Sequence, residues 1–240
     1  ENGEPLNTSL EGKKMKIGIL QAGIAADALV PKHGDYPDNF EVLLHGRGFE
    51  FKVFKVIDNT FPKSVDACDG WLVTGSRHGA YEKHNWIPPL EDFIRESYDA
   101  NVPIVGVCFG HQIIAQALGG HVEKFKGGWI VGRQTYQNKD GSKVTLNAYH
   151  QDQVITAPAC ATGISGNDYC KNAILTYGKK AFTMQPHPEF SSTYIRDLID
   201  ARGIGVIDDE VLRTARETLM EEIDASMVAD QFETFFKNAV

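Results

Sequence analysis

Apolar positions in the first half of the chain fall into short runs separated by stretches of helical spacing. Lys16-Ile-Gly-Ile-Leu20, Phe49–Ile57, Gly70-Trp-Leu-Val-Thr74 and Ile104–Val107 read as buried strands. Between them, Pro37 suits the first turn of a helix carrying Phe40, Leu43 and Leu44, which Gly46 and Gly48 end. Trp86–Tyr98 reads as a second helix, with Pro88-Pro89 in its first turn and Leu90, Phe93 and Ile94 turned inward. The stretch after Cys108 carries Ile113, Ile114, Ala117 and Leu118 on one side until Gly119-Gly120 stop it. Strands alternating with helices predict an α/β fold: an open, mostly parallel, twisted sheet with helices on both faces.

The second half is richer in alternating patterns. Trp129–Tyr136, Lys143–Ala148, Gln153–Ala157, Asn172–Tyr177 and Ala181–Gln185 are short strand candidates, with Asp140-Gly141 as a hairpin turn. They predict a small β-rich subregion. Ser191–Ala201 reads as a helix capped by Ser191 or Ser192. From Asp208 to the end the pattern is helical, with Val211, Ala215, Leu219, Phe232, Phe235 and Phe236 apolar. Those phenylalanines suit a core face or a partner-docking helix. We expect one domain over 15–240, of which 206–240 is a C-terminal helical extension. The polar stretch 1–14 reads as a flexible leader or remnant ahead of Met15.

Composition narrows the class. With 240 residues, 42% apolar, the chain can bury the core of a single domain. A net charge of −8 disfavours a nucleic-acid surface. No apolar run approaches a membrane span, and the first residues lack the apolar core of a signal peptide. Cys68, Cys108, Cys160 and Cys170 show neither C-x-x-C spacing nor a disulfide framework, which suits a reducing, cytoplasmic setting. No metal is expected, because no His-rich spacing accompanies Cys160 and Cys170, and no cofactor, because Gly127-Gly128 and Gly203-Ile-Gly205 match neither a phosphate loop nor a dinucleotide fingerprint.

One stretch carries candidate chemistry. In Gly106-Val-Cys-Phe-Gly110 a strand turns sharply into a helix at Cys108, and small neighbours are what such a turn requires. A thiol at a helix start is favoured as thiolate by unpaired N–H groups and the helix dipole. A lone cysteine at a strand end is more often a packed thiol; the flanking glycines favour a nucleophile. Such a nucleophile needs a base and the base an orienter. His187-Pro-Glu189 can supply both, since residues two apart in extended chain project to one side.

Gly106-Val-Cys-Phe-Gly-His-Gln112 and Gln185-Pro-His-Pro-Glu189, in that order and about 80 residues apart, resemble the class I (triad) glutamine amidotransferases. His150-Gln-Asp-Gln-Val154 is similar to a His-Gly-Asp-x-Val segment of GMP-synthetase-type glutaminase domains, and the likeness spans roughly 16–195. The resemblance implies a flavodoxin-like sheet and a set of roles. Cys108 would attack the side-chain amide carbon of glutamine to form a γ-glutamyl thioester. His187 would move the proton and Glu189 would orient it. Backbone N–H groups of Phe109 and of the Gly75-Ser76 loop would hold the oxyanion. Gln112, His150, Gln151 and Asp152 would bind the substrate.

Two departures stand out: Thr74-Gly75-Ser76-Arg77 replaces the family's Gly-Gly-Pro loop, and Gln151 replaces a glycine. No ligase module is visible after residue 195, a layout similar to the stand-alone γ-glutamyl peptidases. The leading expectation is therefore a hydrolase of glutamine or a γ-glutamyl compound, acting on a small molecule without nucleic acid or membrane. The alternative is a glutaminase subunit that feeds or regulates a separate synthetase partner chain. Asp35 and Tyr36 suit either the site edge or a helix entry, and Trp129 and Arg133 either the pocket or sheet packing.

Overall fold

Strands whose every residue is apolar or small must be covered on both faces, and such strands form the middle of this molecule. The computed structural model describes residues 13–239; 1–12 of the expected leader, and Val240, lie outside them. β1 (Met15–Leu20), β2 (Phe49–Phe54), β3 (Gly70–Val73) and β4 (Ile104–Val107) join β5 to β11 (His121–Lys124, Ile130–Gln137, Lys143–His150, Asp152–Thr156, Gly163–Ser165, Ile174–Tyr177, Ala181–Met184). The main sheet runs β2-β1-β3-β4-β11-β10-β9. Its first five strands are mutually parallel, and β10 and β9 are antiparallel additions at one edge.

The pleat sorts side chains into two layers. On β3, Trp71 and Val73 face α3 (Ile87–Asp99) and α4 (Phe109–Ala117), sharing a core with Leu90, Phe93, Ile94, Ile113 and Ile114. Leu72 faces the other way and packs with Phe40 of α2 (Tyr36–Leu43) and with Phe232 and Phe236 of the C-terminal helix. The parallel sheet is thus covered on both faces, as the alternation of strands and helices predicts. The β5–β8 pair and the β6–β7 hairpin form the small β-rich subregion.

Several elements differ from the sequence expectation. α1 (Val30–His33), β5 and β9 are short elements that the pattern does not signal. β2 stops at Phe54, and Val56–Asp58 form a 3₁₀ turn. α5 (Ser192–Leu198) is capped by the Ser191 hydroxyl and runs into a π-helical turn, Ile199–Gly203, in which Ile204 N–H reaches back to Ile199 O. The C-terminal stretch is two helices, α6 (Asp209–Glu217) and α7 (Ala225–Ala239). The break has a tertiary cause: Asp224 N–H donates to Thr145 O at 2.8 Å while its carboxylate accepts from Thr145 N–H at 2.7 Å, docking the segment on β7. Phe232 and Phe236 are fully buried and Phe235 partly so, which makes them core. Among the described residues no helix is long and apolar enough to cross a membrane.

Candidate active site

Cys108 sits where β4 passes into α4, with φ 53° and ψ −107°. That is a left-handed backbone at a side chain with a Cβ, costing on the order of 1–3 kcal/mol that the surroundings must hold in place. They do so by close approach. A Cβ on Gly106 would lie 2.6 Å from Gly110 O, and one on Gly110 would lie 2.2 Å from Val73 O. Both neighbours are glycines because nothing larger fits. Cys108 N–H donates to Met184 O of β11 at 2.9 Å, so the junction is anchored from the adjacent strand. Phe109 opens α4, where backbone N–H groups have no intrahelical acceptor.

β11 delivers the candidate base, His187. Beyond Met184, Gln185 N–H donates to Ala173 O at 2.7 Å and His187 N–H to Asn147 O at 2.8 Å, pinning the Gln185–His187 segment between β10 and β7. His187 Nδ1 meets Glu189 Oε1 at 2.7 Å, and both side chains are buried. The imidazole stacks flat on Phe190, centroids 4.0 Å apart at 7°, and Phe190 stacks on Tyr194 at 4.0 Å. Burial alone would push the His187 pKa down. The Glu189 carboxylate and the adjacent Cys108 override it and raise the value to about 10. The ring is therefore held as imidazolium through the neutral range.

Two further walls close the site. After β3, the Thr74 hydroxyl accepts from Ala22 N–H and donates to Gly75 O, both at 3.0 Å, which sets the peptide that follows. A Cβ on Gly75 would stand 3.3 Å from His187 Cε1 and 3.8 Å from Cys108 Cβ, so this loop lies directly over the pair. Across the cavity, His150 Nδ1 donates to Asp152 O at 3.1 Å, which fixes its tautomer and leaves buried Nε2 without a partner. Burial drives the His150 pKa down to about 3, aided by the charge on His187, so the ring stays neutral. Asp152 accepts from Tyr81 OH at 3.1 Å; burial raises its pKa against the pull of Tyr81 and Lys124. Gln112 donates both amide hydrogens, to Asp152 O and Gln185 Oε1 at 3.0 Å each, fastening α4 to the two strand ends. Gln151 donates to Phe125 O at 3.4 Å.

These groups surround one cavity of about 530 Å³, lined by Gly75, Ser76, Cys108, Gln112, His150, Gln151, Asp152 and His187. Phe109 and Glu189 support it from behind. Of the open alternatives, Asp35 proves to be the α2 cap, its carboxylate accepting from Tyr36 N–H, while Tyr36 lines the cavity. Trp129 also lines it, whereas Arg133 turns away to Glu222 O and Glu221. Sequence reasoning missed Phe190, which directly follows Glu189, and three cations that line the cavity: Arg77, Lys124 and Arg202. Arg202 lies in the π turn and, with Arg77, also lines an adjoining cleft, so the two share one side of the mouth.

The family model for class I glutamine amidotransferases matches residues 36–200. Gamma-glutamyl peptidase 4 of Arabidopsis thaliana is 31% identical over 203 residues, covering 78% of this chain and 81% of that protein. The glutamine-hydrolysing GMP synthase subunit of Methanococcus maripaludis is 30% identical over 109 residues, 42% of this chain and 58% of that protein. Among solved structures, a glutamine amidotransferase from Methylobacillus flagellatus superposes over 95% of each chain with a TM-score of 0.73 at 20% identity, a likeness of fold.

Proposed function

The chain belongs to the class I glutamine amidotransferase family, and from that premise we propose that it hydrolyses the γ-glutamyl amide bond of glutamine or a γ-glutamyl compound through a thioester on Cys108. The observation that carries this reading is the buried 2.7 Å His187–Glu189 pair beside a cysteine held at positive φ on a helix start.

The Cys108 sulfur attacks the γ-carbonyl carbon. The oxyanion takes hydrogen bonds from the Phe109 N–H and from the Gly75-Ser76 backbone. Imidazolium at His187 gives its proton to the departing nitrogen; the C–N bond breaks and ammonia or an amine leaves. Water, deprotonated by the now neutral His187, attacks the thioester; the C–S bond breaks, glutamate leaves, and the Cys108 thiolate and His187 imidazolium are restored. Glu189 holds the ring at Nδ1 and so keeps Nε2 toward sulfur. At the other end, His150 Nε2 and the Asp152 carboxylate are acceptors suited to an α-ammonium group. Gln151 offers a further polar contact, and Gln112 keeps that wall in register.

A leaving group larger than ammonia has space. The cavity reaches past the catalytic groups to Arg77 and Arg202, whose guanidinium forks suit the carboxylate of an amino-acid leaving group. The likeness to a protein named as a γ-glutamyl peptidase supports the same substrate class. All four cysteines are free, in keeping with a reducing compartment such as the cytoplasm. The partial likeness to a glutamine-hydrolysing GMP synthase subunit favours the second reading, an ammonia-supplying chain for a separate synthetase.

The deciding experiment compares kcat/KM of the isolated chain for glutamine and for a panel of γ-glutamyl dipeptides without ATP. The peptides are expected to equal or exceed glutamine. Activity on glutamine alone, rising steeply when a partner chain is added, would establish the second reading instead.

A further inference from the structure

Outside the catalytic pair, one cluster of ligand-type side chains lies on the loop between β3 and α3. His78 Nδ1 and His84 Nε2 converge on a single oxygen of Glu82, at 3.2 and 2.6 Å from Oε2. All three atoms lie within 4.8 Å of one another. We propose that His78, Glu82 and His84 form a binding site for a divalent transition metal of the zinc class.

The geometry carries this. Zinc bound at about 2.0–2.1 Å by nitrogen and oxygen in a tetrahedron has ligand atoms roughly 3.3 Å apart, and the Oε2–Nδ1 separation already has that size. Small ring movements widen the shorter one. Two imidazoles and one carboxylate are a zinc-type donor set rather than a magnesium or calcium one, which would be oxygen-rich. The ligands are also held from behind, as metal ligands generally are. Glu82 Oε1 accepts from Gly79 N–H at 3.0 Å, and a turn closes between Glu82 N–H and Gly79 O. The His84 ring lies parallel to Trp86 at 14°, centroids 5.9 Å apart, and the two histidine rings stand 4.2 Å apart. All three ligands fall within a seven-residue stretch, His78 to His84, so no long-range closure is needed to assemble them.

Three protein ligands leave one position open. His78 and Glu82 both line the catalytic cavity, so the open position lies at its edge. It can take water or an anionic group there. On binding, the metal takes the place of the two hydrogen bonds to Glu82 Oε2, and each ring presents an unprotonated nitrogen to it. The expectation of no metal rests on the cysteines and does not touch these residues.

The test is calorimetric titration of the full chain with zinc chloride, in the wild type and in His84→Gln, His78→Gln and Cys108→Ser. One zinc per chain is expected. Affinity should fall at least about tenfold in each histidine variant, the lower bound seen when even supporting residues are lost, and change little in Cys108→Ser. As a second readout, cobalt(II) should give a tetrahedral visible band and quench Trp86 fluorescence in the wild type. No saturable zinc binding by the wild-type chain overturns the proposal. So does binding that persists in both histidine variants or disappears in Cys108→Ser.

Discussion

The floor and the rim of the cavity are built by opposite means. On the floor, Cys108, His187 and Glu189 are buried at the ends of two adjacent parallel strands, β4 and β11. Cys108 and His187 are held by backbone hydrogen bonds to neighbouring strands, by glycine contacts and, for His187, by a stacked ring, and Glu189 is held through its hydrogen bond with His187. On the rim, Arg77, His78, Glu82 and Arg202 stand on a loop and on a π turn and are at least partly exposed. A site that must place a nucleophile and base within a fraction of an ångström gains from sheet ends, where packing fixes rotamers. A surface that selects substrates can sit on loops, whose side chains vary without disturbing the core. In the proposed reading the chemistry belongs to the floor and the choice of substrate to the rim.

Breaking the floor should have the largest effect. His187→Ala is expected to lower kcat on the order of a thousandfold or more, the scale seen when a triad base is removed, with the fold retained by circular dichroism. Glu189→Gln should cost less, because an amide can still accept from Nδ1–H. A larger loss in Glu189→Gln than in His187→Ala would reverse the assignment of base and orienter.

The same variant sharpens the electrostatic side of the comparison. With Glu189 and Cys108 raising His187 to about 10, the wild type should hold its proton donor until that pH, and kcat should fall above it. Removing the Glu189 charge lowers the His187 pKa, so the alkaline limb of the Glu189→Gln profile should move to lower pH. The sign for stability is the same. His187 has a folded value above its free value of 6.5, so the pair stabilises the fold fully below that pH and loses the contribution as pH climbs through about 10. An alkaline limb that does not move in Glu189→Gln would contradict the account of the pair.

Breaking the rim should be milder and selective. Replacing both Arg77 and Arg202 by alanine is expected to raise KM for a γ-glutamyl dipeptide about tenfold, the worth of one charge-assisted hydrogen bond. Glutamine, which has no second carboxylate to lose, should be affected less, and kcat should change little. An equal rise for both substrates would mean that the arginines serve the γ-glutamyl half instead.

The same division explains what the sequence disclosed. The floor is local: five residues around Cys108 and three around His187 carry the turn and the proposed nucleophile, base and orienter, and their order along the chain pairs them. The cations that line the cavity, at 77, 124 and 202, are far apart in sequence and alike in chemistry to any surface cation. The broken C-terminal helix was hidden for a related reason. Its helical spacing continues through residues 218–224, and contacts with distant strands, Asp224 with Thr145 and Arg133 with Glu222 O, interrupt it. The π turn is one extra residue of backbone, which leaves no mark on apolar spacing. Asp35-Tyr36 was legible in part, since a capping aspartate and a cavity tyrosine occupy adjacent positions and only the fold separates them.

The proposed chemistry stands or falls with Cys108 as the nucleophile. It is tested most directly by inactivating the intact chain with a glutamine-like electrophile and mapping the adduct by peptide mass spectrometry. One adduct per chain, on Cys108, with loss of activity in proportion to labelling, is the predicted result. An adduct on Cys68, Cys160 or Cys170 that accounts for the lost activity, with Cys108 unlabelled, would contradict it.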